Sequence, residues 1–103
     1  MDKQFKLSYL PLFEKDLESA RDYIAVNLKN PIAARRLVED TEHAIMKRLS
    51  NPLGFKPYHS ARDRKQPYYR ISIKNFSVFY VVIGDVMEIR RFVYSRRNLP
   101  EIV

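Results

Sequence analysis

The sequence contains no cysteine and only two glycines. Without cysteine the chain can form neither a disulfide nor a thiolate metal site, which is typical of proteins from a reducing compartment. Two glycines are too few for a glycine-rich nucleotide-binding loop, and no cluster of His and carboxylates has metal-ligand spacing. No apolar run approaches the ~20 residues of a membrane span, and the amino-terminal MDKQFKLSYL has no signal-peptide core. We therefore expect a cytoplasmic protein that needs no cofactor, no metal and no membrane.

The composition predicts one folded domain spanning residues 1–103. Seven tyrosines, six phenylalanines and a hydrophobic fraction of 46% argue against disorder. The formal charge of +7 is uneven, since residues 1–55 have a net charge of +1 and residues 56–103 one of +6. This asymmetry predicts a polyanionic partner, either nucleic acid or an acidic protein, and the alternative is a basic surface that binds nothing.

Residues 68–97 are predicted to form three short strands in a meander. Alternate residues from Tyr69 to Ile73 are apolar, which is the period of a half-buried strand. Residues 78–83 are an almost unbroken apolar run, typical of a central strand that is covered on both faces. Gly84-Asp85 supplies a tight turn, and residues 87–94 return as the third strand.

The two faces of this sheet are predicted to differ. Met87, Ile89 and Val93 of the third strand would face the core. We expect Glu88 to pair with Arg90 or Arg70 and so to order them. The opposite face would carry polar and aromatic side chains: Glu88, Arg90, Phe92 and Tyr94 from the third strand, with Arg70 and Lys74 from the start of the meander.

A strand and two helices precede the meander. Residues 4–9 alternate as a strand, and Pro11 opens a helix whose apolar stripe is Phe13, Leu17, Ala20, Ile24 and Leu28. Asn30 is expected to cap a second helix that runs from Pro31 to Ser50. The predicted fold is therefore α+β, in the order β-α-α-β-β-β, with a helical hairpin packed on one face of a mainly antiparallel sheet. The sheet edge that the first strand joins stays open.

Residues 55–67 form a basic connection that is too rich in proline and charge to enter the core. Arg62, Arg64 and Lys65 in this segment are candidates for positioning a phosphate, and the alternative is an ordinary surface loop. His59 is interpreted as an exposed histidine rather than as an acid or base.

Five short sequences occur here in an order found in one known group. They are NPIAA at residues 30–34, LSNP at 49–52, YRI at 69–71, FSVFY at 76–80 and VMEIRRFVYSRRN at 86–98. Together they resemble the RelE/ParE superfamily, the toxins of type II toxin–antitoxin pairs. The resemblance implies this fold and an acidic antitoxin as partner. RelE-like members cut mRNA in the ribosomal A site, whereas ParE-like members bind DNA gyrase and poison it without cutting.

Two positions depart from the pattern of the ribonucleases. Ser77 stands where many of them have Arg, and Tyr94 stands where many members have His. The first departure weakens the case for a nuclease. The second is ambiguous, because related nucleases use a tyrosine near this position.

Metal-independent RNA cleavage needs a base, an acid and cations that hold the phosphate. The candidate catalytic residues are Tyr94 for proton transfer with Arg70 and Arg97 on the phosphate. Candidate substrate-binding residues are Arg62, Arg64, Lys65, Lys74, Arg90 and Arg96. The favoured hypothesis is a ribosome-dependent mRNA endoribonuclease. The alternatives are a ParE-like gyrase poison and a non-toxic domain that only binds an antitoxin.

Overall fold

The computed structural model describes residues 4–58 and 66–96. Its elements are β1 (Lys6–Tyr9), α1 (Pro11–Asp22), a π-helical turn (Tyr23–Asn27), α2 (Pro31–Leu49), β2 (Tyr69–Ile73), β3 (Phe76–Ile83) and β4 (Val86–Tyr94). The predicted β-α-α-β-β-β order and the α+β class are confirmed. Within the described ranges, neither helix is long and apolar enough to cross a membrane.

The four strands form one mixed sheet in the order β1-β4-β3-β2. The meander pairs antiparallel, and β1 joins the free edge of β4 in parallel. The first strand therefore joins the β4 edge of the meander, a choice that the sequence left open. The amide of Lys6 donates to the carbonyl oxygen of Asp85 at 2.7 Å, and that of Leu10 donates to Ile89 at 2.9 Å. These two bonds fix both ends of the β1–β4 pairing.

The helices begin where the sequence predicts. Pro11 and Pro31 occupy the first turns of α1 and α2, where a missing amide hydrogen costs nothing. The side-chain oxygen of Asn30 accepts a hydrogen bond from the amide of Ala33 at 3.1 Å, which confirms the predicted cap.

The main core lies between the helices and one face of the sheet. Its helical side contains Phe13, Leu37 and Ile45, and its sheet side includes Val78 and Met87. The sequence predicts that Leu28 joins this core, but its side chain is 57% exposed, so this prediction was wrong. The π-helical turn before it has i→i+5 hydrogen bonds, so the apolar stripe of α1 loses its register there.

A β-bulge in β4 changes which residues face the helices. Phe79 pairs with Arg91 but Tyr80 pairs with Ile89, so Arg90 is an extra residue in the ladder. Phe92 therefore joins the main core, whereas Val93 packs on the other side of the sheet. The predicted faces of Phe92, Val93 and Tyr94 were wrong, because strict alternation does not continue through a bulge.

The sheet face away from the helices, called the outer face below, also has an apolar centre. Phe79 and Val81 of β3 pack there with Val93 and Tyr68. The prediction that residues 78–83 are covered on both faces is confirmed for Val78 to Val81, which are 0% exposed, but not for Ile83, which is 43% exposed at the end of β3. Tyr58 supplies part of the cover, with its ring centroid 5.1 Å from that of Phe79. Part of the basic connection thus packs on the core, contrary to the prediction, and residues 59–65 lie outside the described residues.

Gly84 offers a test of backbone strain. Its φ is +63°, and a Cβ there would meet nothing within 4 Å. A Gly84→Ala variant is expected to lower the free energy of unfolding by about 1–2 kcal/mol, through the left-handed backbone alone. Lys29 is a non-glycine residue in the same left-handed region, with a φ of +52°. Lys29→Gly should therefore raise the free energy of unfolding by about 0.5 kcal/mol. Urea denaturation measures both, and effects of the same sign would contradict this reasoning.

Candidate functional site

Three polar side chains connect β2, β3 and the end of β4 on the outer face. The Nε of Arg70 donates to the hydroxyl of Ser77 at 2.8 Å, and that hydroxyl lies 2.9 Å from the hydroxyl of Ser95. The guanidinium carbon of Arg70 is 5.8 Å from the ring centroid of Tyr58. Among the described residues no carboxylate forms a salt bridge with Arg70. Its guanidinium is thus oriented by hydroxyls and keeps its charge available to a partner.

Ser77 has a structural role in this arrangement. Its side chain is 0% exposed and lies between Arg70 and Ser95. In this structure the position presents no group to solvent. A hydroxyl that orders Arg70 therefore occupies the place where the resemblance puts an arginine in the ribonucleases.

Arg90 lies on the outer face but is already paired. Its Nε donates to Oε2 of Glu88 at 2.8 Å, which confirms the predicted pairing of Glu88. Burial lowers the pKa of Arg90, but hydrogen bonds with Tyr68 and Glu88 outweigh it, and the pKa is raised overall. Its guanidinium carbon is 5.8 Å from the ring centroid of Tyr68. Arg90 is thus neutralised by a carboxylate, whereas Arg70 forms no salt bridge with another described residue.

Tyr94 lies on the helix side of the sheet, not on the outer face. Its ring packs edge-on against Phe76 with centroids 5.6 Å apart, and Phe76 stacks on Phe92 of the main core. Tyr94 lines an open groove of about 890 Å³ together with Ile24 and Leu28. The structure therefore places Tyr94 and Arg70 on opposite faces of the sheet.

Other predicted site residues are also separated. Lys74 reaches toward the helices, where its ammonium lies 3.4 Å from a carboxylate oxygen of Asp40. Its predicted place on the outer face was therefore wrong. Arg96 follows β4 and is exposed. The remaining predicted site residues lie outside the described residues: Arg62, Arg64, Lys65 and Arg97, together with His59.

Within residues 4–58 and 66–96, no group of three or more acidic or histidine side chains is arranged to hold a metal ion. Tyr94 and Arg70, the two members of the predicted catalytic set that the structure describes, do not share one face of the sheet.

Comparison with known protein families identifies the family of this chain. Residues 7–99 match the family described as the ParE toxin of the type II toxin–antitoxin system parDE. This chain belongs to the ParE toxin family. The resemblance to the RelE/ParE superfamily is thereby confirmed. No curated protein matches the sequence at a significant level.

Among the solved structures similar to this ParE-family toxin are two that belong to toxin–antitoxin systems. The toxin is similar to a chain of the chromosomal ParDE TA system from P. aeruginosa, with a TM-score of 0.67 and 19% identity. That match covers 89% of this chain and 97% of the other. A second similar structure is the RelB-RelE antitoxin–toxin complex from Methanococcus jannaschii. Its TM-score is 0.45 and its identity 23%, over 84% of this chain and 88% of the other.

Sequence reasoning missed two polar contacts of the toxin. The carboxylate of Asp16 on α1 accepts hydrogen bonds from Arg91 and from the amide of Phe92 at the bulge. Nη1 of Arg48 donates to the phenol of Tyr80 at 3.0 Å and to the carbonyl of Arg70 at 3.3 Å. No sequence spacing could indicate either contact, because 75 residues separate the first pair and 32 the second.

Proposed function

We propose that this toxin binds DNA gyrase and poisons it, and that it does not itself cleave nucleic acid. The observation that carries the proposal is the bulge at Arg90, which leaves Tyr94 and Arg70 on opposite faces of the sheet. The match to ParE toxins over residues 7–99 supports it, since the resemblance assigns gyrase poisoning to the ParE-like members.

The target would contact Arg70 on the outer face and the exposed Arg96 that follows β4. Arg70 has an oriented guanidinium without a carboxylate partner among the described residues, and Arg96 is exposed. An ordered cation of this kind suits an anionic protein surface or the DNA that gyrase holds. In this proposal Arg70 and Arg96 bind the target and perform no chemistry.

An antitoxin is the second partner in the proposal. The matched family is that of a type II toxin–antitoxin system, and the similar structure from P. aeruginosa carries the name of a ParDE system. The chain has a formal charge of +7, so an acidic antitoxin complements it. Co-expression with the small protein encoded next to it is expected to raise the yield.

A gyrase cleavage assay tests the function directly. Purified toxin incubated with gyrase, ATP and supercoiled plasmid should trap double-strand breaks that appear as linear DNA after protein denaturation and proteolysis. Ribosome-bound mRNA, examined by primer extension, should stay intact with the same preparation. Cut mRNA without trapped breaks would establish the endoribonuclease instead, and harmless overexpression would favour the non-toxic domain.

Two variants distinguish target binding from catalysis. Arg70→Gln is expected to lower the potency of gyrase poisoning by at least about tenfold, because it removes a charged hydrogen-bond donor worth roughly 1.5–3 kcal/mol. Tyr94→Phe should leave potency unchanged. Arg35→Gln, at an exposed position on α2, makes the same charge change away from the outer face and serves as the control. A loss for Tyr94→Phe with none for Arg70→Gln would overturn the assignment.

A further inference from the structure

A small pit lies between the two helices where β1 ends. Phe13 and Leu17 of α1 and Ile45 of α2 line its apolar wall. Its volume is about 210 Å³, whereas pockets for small molecules start at roughly 300 Å³. The pit therefore has room for one side chain of a partner rather than for a cofactor.

Two carboxylates stand at this pit, in a chain whose formal charge is +7. Neither Glu14 nor Glu42 forms a salt bridge with another described residue. Glu14 lies in the first turn of α1, where the helix dipole favours an acidic side chain. Glu42 lies in the middle of α2 and has no such explanation.

The phenol of Tyr9 reports the electrostatics of the pit. Burial raises its pKa, and the negative charges of Glu42 and Glu14 raise it further. Both carboxylates therefore contribute negative potential at the phenol of Tyr9, which lies at the edge of the pit. The ring of Tyr9 stacks on Phe13 with centroids 5.5 Å apart, so an aromatic wall lies beside the two negative charges.

We infer that this pit binds a single lysine or arginine side chain from a partner protein. The aliphatic stem would pack on Leu17 and on the ring of Tyr9, above the buried Phe13 and Ile45, and the cationic head would lie between Glu14 and Glu42. An acidic side chain would be repelled, and a neutral aliphatic chain would leave both carboxylates unpaired. The site lies on the helix layer, away from the outer face, and does not depend on the proposed target of the toxin.

Methyl NMR of the full chain tests the inference with simple probes. N-acetyl-lysinamide and N-acetyl-argininamide should produce saturable shifts at the methyl groups of Leu17 and Ile45. N-acetyl-norleucinamide has a similar aliphatic stem without the charge, and it should bind about tenfold more weakly. Equal binding of norleucinamide, or no saturable shift with either cationic probe, would overturn the inference.

A matched pair of variants assigns the charge. Glu42→Gln keeps the shape of the side chain and is expected to weaken the lysine probe about five- to tenfold. Glu39→Gln removes the same charge from an exposed position on the same helix that does not line the pit. Glu39→Gln should leave the affinity for the lysine probe unchanged. Equal losses of affinity in the two variants would mean that only the overall charge of the protein matters, and would reject the site. These results are independent of the gyrase assay.

Discussion

An Asp16→Ala substitution is expected to lower the free energy of unfolding by about 2–4 kcal/mol. The carboxylate accepts hydrogen bonds from Nε of Arg91 at 2.8 Å, from its Nη2 at 3.3 Å and from the amide of Phe92 at 3.1 Å. The two side chains are only 15% and 24% exposed, so water replaces the lost partner poorly. The variant would leave a guanidinium and a bulge amide unpaired where α1 meets β4.

Asp22→Ala is the matched control on the same helix. Asp22 pairs with the adjacent Arg21, but the two side chains are 59% and 47% exposed, so this pair should contribute less than about 1 kcal/mol. Urea unfolding of both variants measures the difference. Similar losses would mean that the Asp16–Arg91 contact does not stabilise the junction between α1 and the bulge.

A Tyr80→Phe substitution should cost about 2–3 kcal/mol, although it removes a single oxygen. The phenol of Tyr80 is buried, donates to the carbonyl of Pro52 at 2.7 Å and accepts from Arg48 at 3.0 Å. Phenylalanine would keep the ring packing and leave both partners without this bond. The end of α2 and the segment after it would lose their common attachment to β3.

The phenol of Tyr80 also makes the free energy of unfolding depend on pH in the alkaline range. Burial raises the pKa of Tyr80 above its usual 10.0, and the nearby Arg48 opposes this only in part. A raised pKa means that the folded state holds the phenol proton more tightly than the unfolded chain does. The stabilisation is therefore complete below pH 10 and declines as the pH rises above it. The stability gap between the native chain and Tyr80→Phe should narrow from pH 8 to pH 11.

Tyr69→Phe provides the control for the Tyr80 experiments. Tyr69 stacks on Tyr80 with centroids 5.3 Å apart and is equally part of the main core. Its phenol forms no side-chain hydrogen bond with another described residue. Removal of this hydroxyl should cost less than about 0.5 kcal/mol. A loss as large as that of Tyr80→Phe would show that the ring environment, not the bonds to Pro52 and Arg48, explains the effect.

The elements themselves were predictable from local chemistry. Pro11, Pro31 and Asn30 marked the starts of the helices, because proline and a capping side chain act within one turn. Gly84 marked the second hairpin through its positive φ. The apolar run in β3 indicated burial on both faces, which the structure confirms for Val78 to Val81.

The site was less predictable than the fold. A simple alternation placed Tyr94 with Arg70, and the extra residue Arg90 reversed that assignment for the end of β4. Lys74 sits at a turn with a φ of +54°, so its side chain left the face that alternation gave it. The catalytic set favoured from the sequence therefore depended on a regularity that this strand does not have.

Sequence alone determined the helix starts, the hairpin turn and the order of elements, because caps, turns and periodicity depend on neighbouring residues. The family followed from the resemblance of five short segments to the RelE/ParE superfamily. Only the tertiary structure decided the place of β1, the face of Tyr94 and the pairing of Arg91 with Asp16. These depend on register and on contacts between distant segments, and one inserted residue in a strand reverses every face assignment beyond it.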